Sequence, residues 1–347
     1  LEPQRTNAAL WSEQIDNAGW SKINAPTITS NIATAPDGYG GADGIQDTDG
    51  LSFKRVSQGF SVSLNSTCTA SIFVKKETSE TNYGGFAFDF TGGTRKLAYI
   101  IVDAVNGTAI NSTSSSLSAT TTVTDFGNYW RISATTTDNG SNSDCLLAYY
   151  ATLATAPSGS ASLGAGSVRT VWGFQLEIGA TYATSYIPTL SAAVTRGADA
   201  ASKTGISSLI SSTEGTLFFE GTFARLDPDS RISLTDGSYS NFFYLRAQAN
   251  GSLEFLSSTT LSLQSSSGVV AANSTYKIAV AYKLNDCAMY VNGVQVATDT
   301  SATMPAGLSR FGFDMVSSGA NSFFGKVNQT LLFKTRLTNA QLAELTA

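Results

Sequence analysis

The residues best equipped for chemistry in this chain are carboxylates, tyrosines and lysines, because histidine is missing altogether. Without imidazole there is no Ser-His-Asp or Cys-His nucleophile, no histidine-ligated zinc and no histidine base. The densest acidic stretch, residues 36–50, places Asp37, Asp43, Asp47 and Asp49 among glycines. Calcium takes six to eight oxygen ligands, and carboxylates with Gly-rich backbone carbonyls can supply them. The spacing is not that of a helix-loop-helix calcium loop, and Asp with Gly is also ordinary turn chemistry. These four residues are candidate ligands of a structural calcium, with a plain turn as the alternative.

Glycoside hydrolysis needs two carboxyl groups roughly 5–10 Å apart across a cleft. Glu214, Glu220 and Glu254 stand alone, and Asp227-Pro228-Asp229 reads as a turn. The expectation is therefore that the chain is not an enzyme. Sugar recognition asks for less: an exposed aromatic face with Asn, Asp or Arg close by. Aromatics in loops are the candidates, namely Trp20, Tyr39 and Tyr83 in the first half and Tyr239, flanked by Asp236 and Asn241, in the second. Trp130 and Trp172 lie mid-strand and are expected in the core.

The elements that must position these residues are strands. The 347 residues suffice for two domains, and 42% apolar with only 14% charged residues suits sandwiches rather than helix bundles. A net charge of −5 without a basic cluster argues against nucleic acid and anionic membrane as partners. No apolar run approaches the ~20 residues of a membrane span. The opening residues, Leu1-Glu2-Pro3-Gln4-Arg5, are polar and read as the cut end of a longer chain. Cys68 and Cys145 could pair, or all three cysteines could be small buried residues.

Residues 1–188 carry many short apolar runs with turn signals between them, the pattern of a jelly-roll sandwich. In one run Trp172, Phe174, Leu176 and Ile178 alternate with Gly173, Gln175 and Glu177. Alternation lapses over 189–212, which reads as a linker. It resumes over 213–347, where Tyr276, Ile278, Val280 and Tyr282 define a strand with one buried face. Asn292-Gly293 marks a tight hairpin. Thr338 and Gln341 have capping-box spacing, and Leu337 with Leu342 the hydrophobic-staple spacing, of a short terminal helix. The expected fold class is all-β: two antiparallel β-sandwich (jelly-roll) domains, the second ending in that helix.

Tyr290 to Gly293, Phe323 to Val327 and Leu337 to Leu342 occur in an order that resembles the closing half of a laminin-G-like, concanavalin A-like sandwich. The first half carries a second series: Leu1 to Asn7, Leu10 to Trp20, Ala35 to Gly38, Asn128 to Arg131, Trp172 to Glu177 and Ala183 to Thr189. It resembles a module of bacteriophage tail-fibre and other virion appendage proteins, related in form to carbohydrate-binding jelly rolls. The resemblance implies a tail-fibre or receptor-binding protein on the virion, outside the cell, that binds host-surface or extracellular polysaccharide without catalysis. Other virion proteins would be partners and a homotrimer the expected assembly. By analogy with sugar-binding jelly rolls it also keeps the calcium reading open. A purely structural bracing protein and a polysaccharide-active enzyme with an attached binding module are the alternatives.

Overall fold

The computed structural model describes residues 1–166, 168–226, 231–315 and 322–347. The turn expected at Asp227-Pro228-Asp229 lies outside the described residues. The chain is all-β and forms two compact units: Arg5–Arg196, and Gly197–Ala347 together with Leu1–Gln4.

The first unit opens with β1 (Arg5–Asn7), β2 (Ser21–Ile23), β3 (Thr27–Thr34), β4 (Gly41–Gln46) and β5 (Arg55–Ser61). It continues through β6 (Thr67–Lys75), β7 (Tyr83–Thr91), β8 (Lys96–Asp103), β9 (Thr108–Asn111) and β10 (Thr120–Phe126). β11 (Tyr129–Thr137), β12 (Asp144–Ala154), β13 (Val168–Ile178) and β14 (Val194–Arg196) complete it. Two six-stranded antiparallel sheets, β10-β11-β6-β13-β4-β3 and β2-β5-β12-β7-β8-β9, face each other, and β1 pairs with β14. Side chains alternate across each strand, so Ile72, Phe86, Phe88, Phe90, Leu147 and Phe174 meet in one core. Cys68 and Cys145 are buried there as free thiols, and Cys287 is likewise free and buried in the second unit.

The alternation expected along β13 is broken. Gly173 has φ +67° and the register shifts between Trp172 and Gln175. This bulge leaves Val171, Phe174 and Leu176 on the core but sends Trp172 to the outer face, against Phe73 and Tyr186.

The second unit contains β15 (Ser202–Thr204), a 3-10 turn (Ser207–Leu209), β16 (Glu214–Phe223), β17 (Arg231–Thr235) and β18 (Phe242–Ala247). β19 (Leu253–Ser257), β20 (Ser262–Gln264), β21 (Thr275–Lys283), β22 (Cys287–Val291) and β23 (Val294–Asp299) follow. The chain ends with β24 (Arg310–Gly312), β25 (Gly325–Phe333) and α1 (Asn339–Thr346). A six-stranded sheet, β15-β24-β17-β18-β19-β20, packs on a five-stranded one, β23-β22-β21-β16-β25. The β22–β23 hairpin turns at Asn292 and Gly293, with φ of 47° and 83°, as that residue pair requires. The capping box forms: Thr338 N–H donates to Gln341 Oε1 at 2.9 Å, and Gln341 N–H to Thr338 Oγ1 at 3.3 Å.

One expectation here is too small. Ile278, Val280 and Tyr282 enter the core, but Ala279 and Ala281 are buried as well, because α1 lays Leu342 over the other face of β21. The alanines are the small residues that let a helix sit close to a sheet.

The division between the units also differs from the expected linker at 189–212. That stretch holds β14, which closes the first unit on β1, and β15, which edges a sheet of the second. Both are three-residue strands with mostly exposed side chains, so no buried alternation marks them.

Candidate functional site

The acidic stretch of the first unit does not build a metal centre. Asp37 Oδ1 accepts from the backbone N–H of Tyr39 and Gly40 at 2.9 and 3.1 Å. Asp43 is buried and accepts from Ile15 N–H and Asn31 N–H, both at 2.9 Å. Burial pushes the Asp43 carboxyl up, against the opposing pull of those backbone bonds. Asp47 accepts from Asp49 N–H and Gly50 N–H, and Lys54 lies 3.8 Å away. Asp49 takes Leu51 N–H and the Lys54 ammonium at 2.8 Å. Each carboxylate is thus engaged by its own neighbourhood, which a calcium ligand set would have to give up. Among the described residues no three acidic or cysteine side chains converge as a metal site. The turn reading of Asp37, Asp43, Asp47 and Asp49 replaces the calcium one.

The loop aromatics separate sharply. Trp20 is 1% exposed, its ring 4.8 Å from Phe174 and its Nε1–H donating to Trp11 O at 3.1 Å. It is a core residue, because the segment before β2 folds under the sandwich. Tyr83 begins β7 instead of lying in a loop and packs half-buried against the patch around Tyr150. Tyr39 and Tyr239, by contrast, are 95% and 59% exposed.

Tyr239 sits in the loop between β17 and β18, and its polar neighbours hold that loop. Asp236 Oδ1 accepts from Ser238 N–H and Oγ–H, both at 2.7 Å, and Oδ2 from Asn241 Nδ2–H at 2.9 Å. Asp236 N–H in turn donates to Asn241 O at 3.1 Å. The Asn241 and Ser238 hydrogen bonds hold the Asp236 carboxyl below the usual carboxylate range. Asp236 and Asn241 therefore brace the loop, and the ring is what it presents. Tyr39 is carried the same way, on the turn that Asp37 closes.

Sequence reading missed the surroundings of that turn. Trp172, Phe73, Tyr129 and Tyr186 form an aromatic cluster on the outer face of the β6–β13 sheet. The Tyr186 hydroxyl lies 2.6 Å from Ser12 Oγ and donates to Glu13 Oε1 at 3.3 Å. Burial pushes the Glu13 carboxyl up; the Tyr186 bond opposes this and the charge of Asp37 adds to it. Glu13 also lines a pocket of about 400 Å³ with Pro188, Leu190 and Val194. Trp172 Nε1 is buried without a hydrogen-bond partner, and a Cβ placed on Gly40 would lie 3.6 Å from it. Glu13, Tyr39 and Tyr186 are far apart in sequence; the only local signal was Gly173 interrupting an apolar strand. On the opposite sheet Tyr99 and Tyr150 pack edge to face at 5.9 Å, with Arg55 over the Tyr150 ring and Arg95 paired to Asp89.

The chain is similar to several known proteins. Residues 196–343 match the model of the concanavalin A-like lectin/glucanases superfamily. Among solved structures, domains LG4-5 of the mouse laminin alpha1 chain are 9% identical, with a TM-score of 0.28 over 93% of this chain and 95% of that one. Trypanosoma rangeli sialidase in complex with the inhibitor DANA is 12% identical, with a TM-score of 0.34 over 94% of this chain. This chain spans only 62% of that sialidase chain. No curated protein sequence matches. The carboxy-terminal unit, read from its two packed sheets and this family match, is a concanavalin A-like sandwich.

Proposed function

We propose that this chain is the glycan-binding part of a virion appendage, a tail fibre or receptor-binding protein acting outside the cell, and that it performs no catalysis. The observation that carries the reading is the exposed Tyr239 ring on a loop locked by Asp236, within the unit that matches a lectin/glucanase family. Tyr39 repeats the device in the first unit. Such rings are preorganised platforms for the apolar face of a pyranose. Each contributes about 1 kcal/mol, so single sites are weak, micromolar to millimolar, and a homotrimer would raise retention through avidity.

The virion assignment rests on the motif series of the first half, and those motifs have a common role here. Asn7 donates to Phe174 O and Ile187 O and accepts from Ala9 N–H and Leu176 N–H, tying the start of the sandwich to its end. Non-catalysis is supported by the lack of histidine and by carboxylates already engaged, Glu254 by Arg246 at 2.7 Å and Glu214 by Lys283 at 3.6 Å.

The test is a broad array of bacterial surface and capsular glycans, probed with the chain displayed multivalently. Retention that falls several-fold in Tyr39→Ala or Tyr239→Ala, with unchanged thermal midpoints, is the expected result. A silent array would transfer the chain to a structural role in the particle.

A further inference from the structure

A slot runs along one side of the carboxy-terminal unit, between the edge strands of its two sheets. β25 ends the five-stranded sheet and β15 ends the six-stranded one. At one end the slot is occupied by the chain itself. Leu1 N–H donates to Gly325 O at 2.6 Å and Gly325 N–H to Leu1 O at 2.9 Å, the reciprocal bonds of a strand pair. Glu2 and Asp199 bond each other on the opposite wall, through Asp199 N–H to Glu2 O and Glu2 N–H to Asp199 Oδ2, both at 2.9 Å. The Leu1 side chain packs on the core.

Farther along both walls the slot is open. There it is a groove of about 430 Å³ lined by Lys203, Ile206, Leu209, Phe311, Leu332 and Lys334. Among the described residues, 326–333 make backbone bonds only to β16, so the outer edge of β25 keeps free donors and acceptors. Thr330 Oγ1, also in the groove lining, is buried without a partner. Leu209 is 52% exposed. The two lysines are the only charged lining residues and make no ion pair among the described residues, in a chain whose net charge is −5.

We propose that this groove receives an extended peptide segment of a partner protein, with apolar side chains alternating with acidic ones. Its backbone would add to β25, its apolar side chains would lie on Ile206, Leu209 and Phe311, and its carboxylates would reach Lys203 and Lys334. Leu1 already demonstrates the backbone half of this pairing at Gly325. From Thr330 to Lys334 the wall spans about 13 Å at ~3.3 Å per residue, room for four or five extended residues. A glycan or an acyl chain would leave the free β25 amides unpaired.

The experiment uses the full chain and a fluorescein-labelled hexapeptide of alternating glutamate and valine, followed by anisotropy at low salt. Binding should weaken at least tenfold in the double variant K203E/K334E, and several-fold in L209D. It should vanish when the peptide amides facing β25 are N-methylated. All three substituted side chains are exposed, so circular dichroism and melting should match the parent. The proposal is overturned if the peptide fails to bind at millimolar concentration. It is equally overturned if the N-methylated peptide binds as well, if K203E/K334E is without effect, or if decanoate displaces a peptide that N-methylation does not impair. Each of these results is independent of the glycan array.

Discussion

Glu80 and Arg169 form an ion pair inside the amino-terminal sandwich, with 1% and 2% of their side chains exposed. Arg169 also donates to Asn82 O, and the two contacts tie the segment before β7 to β13. A Cβ on Gly84 would lie 3.0 Å from the Tyr149 hydroxyl and 3.1 Å from Arg169 Cγ, so the pair has no room to move aside. Burial raises the Glu80 carboxyl, and the Arg169 charge pulls it back.

Breaking this pair from one side leaves an uncompensated buried charge. Arg169→Met should destabilise the first unit by roughly 3–5 kcal/mol, whereas the double change E80L/R169M should recover much of the loss. Urea denaturation of the three proteins checks this, and equal stability of the single and double variants would contradict it.

Trp20 and the two exposed tyrosines should part company in the same assay. Trp20→Ala removes a ring packed on Phe174 and should cost about 3–5 kcal/mol. Tyr39→Ala and Tyr239→Ala should each stay within about 0.5 kcal/mol of the parent.

Acid should act on Asp236 and Glu80 with opposite signs. The Asp236 carboxyl is held below its ordinary 3.8, so its bracing is complete above that value and is lost as pH falls through the folded value. Glu80 is raised above its ordinary 4.5, so its share of stability declines as pH rises from 4.5 to the folded value. Carboxyl carbon chemical shifts through a titration from pH 7 to 2 would follow both groups. An Asp236 midpoint at or above 3.8 would remove the bracing account.

Calcium should have no effect on the 36–50 stretch. Adding millimolar calcium, or removing it with EDTA, should leave the melting temperature unchanged within a degree. Asp43→Asn should nevertheless destabilise, because a buried carboxylate that accepts two backbone N–H groups loses an acceptor oxygen. A calcium-dependent rise in melting temperature, absent in that variant, would reinstate the metal reading.

What the amino-acid sequence determined by itself is whatever depends on near neighbours. Asn292-Gly293 specifies a turn because two adjacent residues adopt positive φ. Thr338 with Gln341 specifies a helix start because the bonds of the box span three residues. Period-two alternation marks most strands, since successive side chains point to opposite faces whatever lies beyond them. The tertiary structure alone decided which surfaces remain exposed. Trp20 precedes β2 in what reads as a loop, yet it is buried because Phe174, more than 150 positions away, covers it. Ala279 and Ala281 look solvent-facing until α1 is laid over them. Asp37, Asp43, Asp47 and Asp49 look free until Ile15, Asn31, Lys54 and their own turns engage them. Burial and hydrogen-bond partnership are set by segments distant in sequence, and local pattern holds no information about which distant segment arrives.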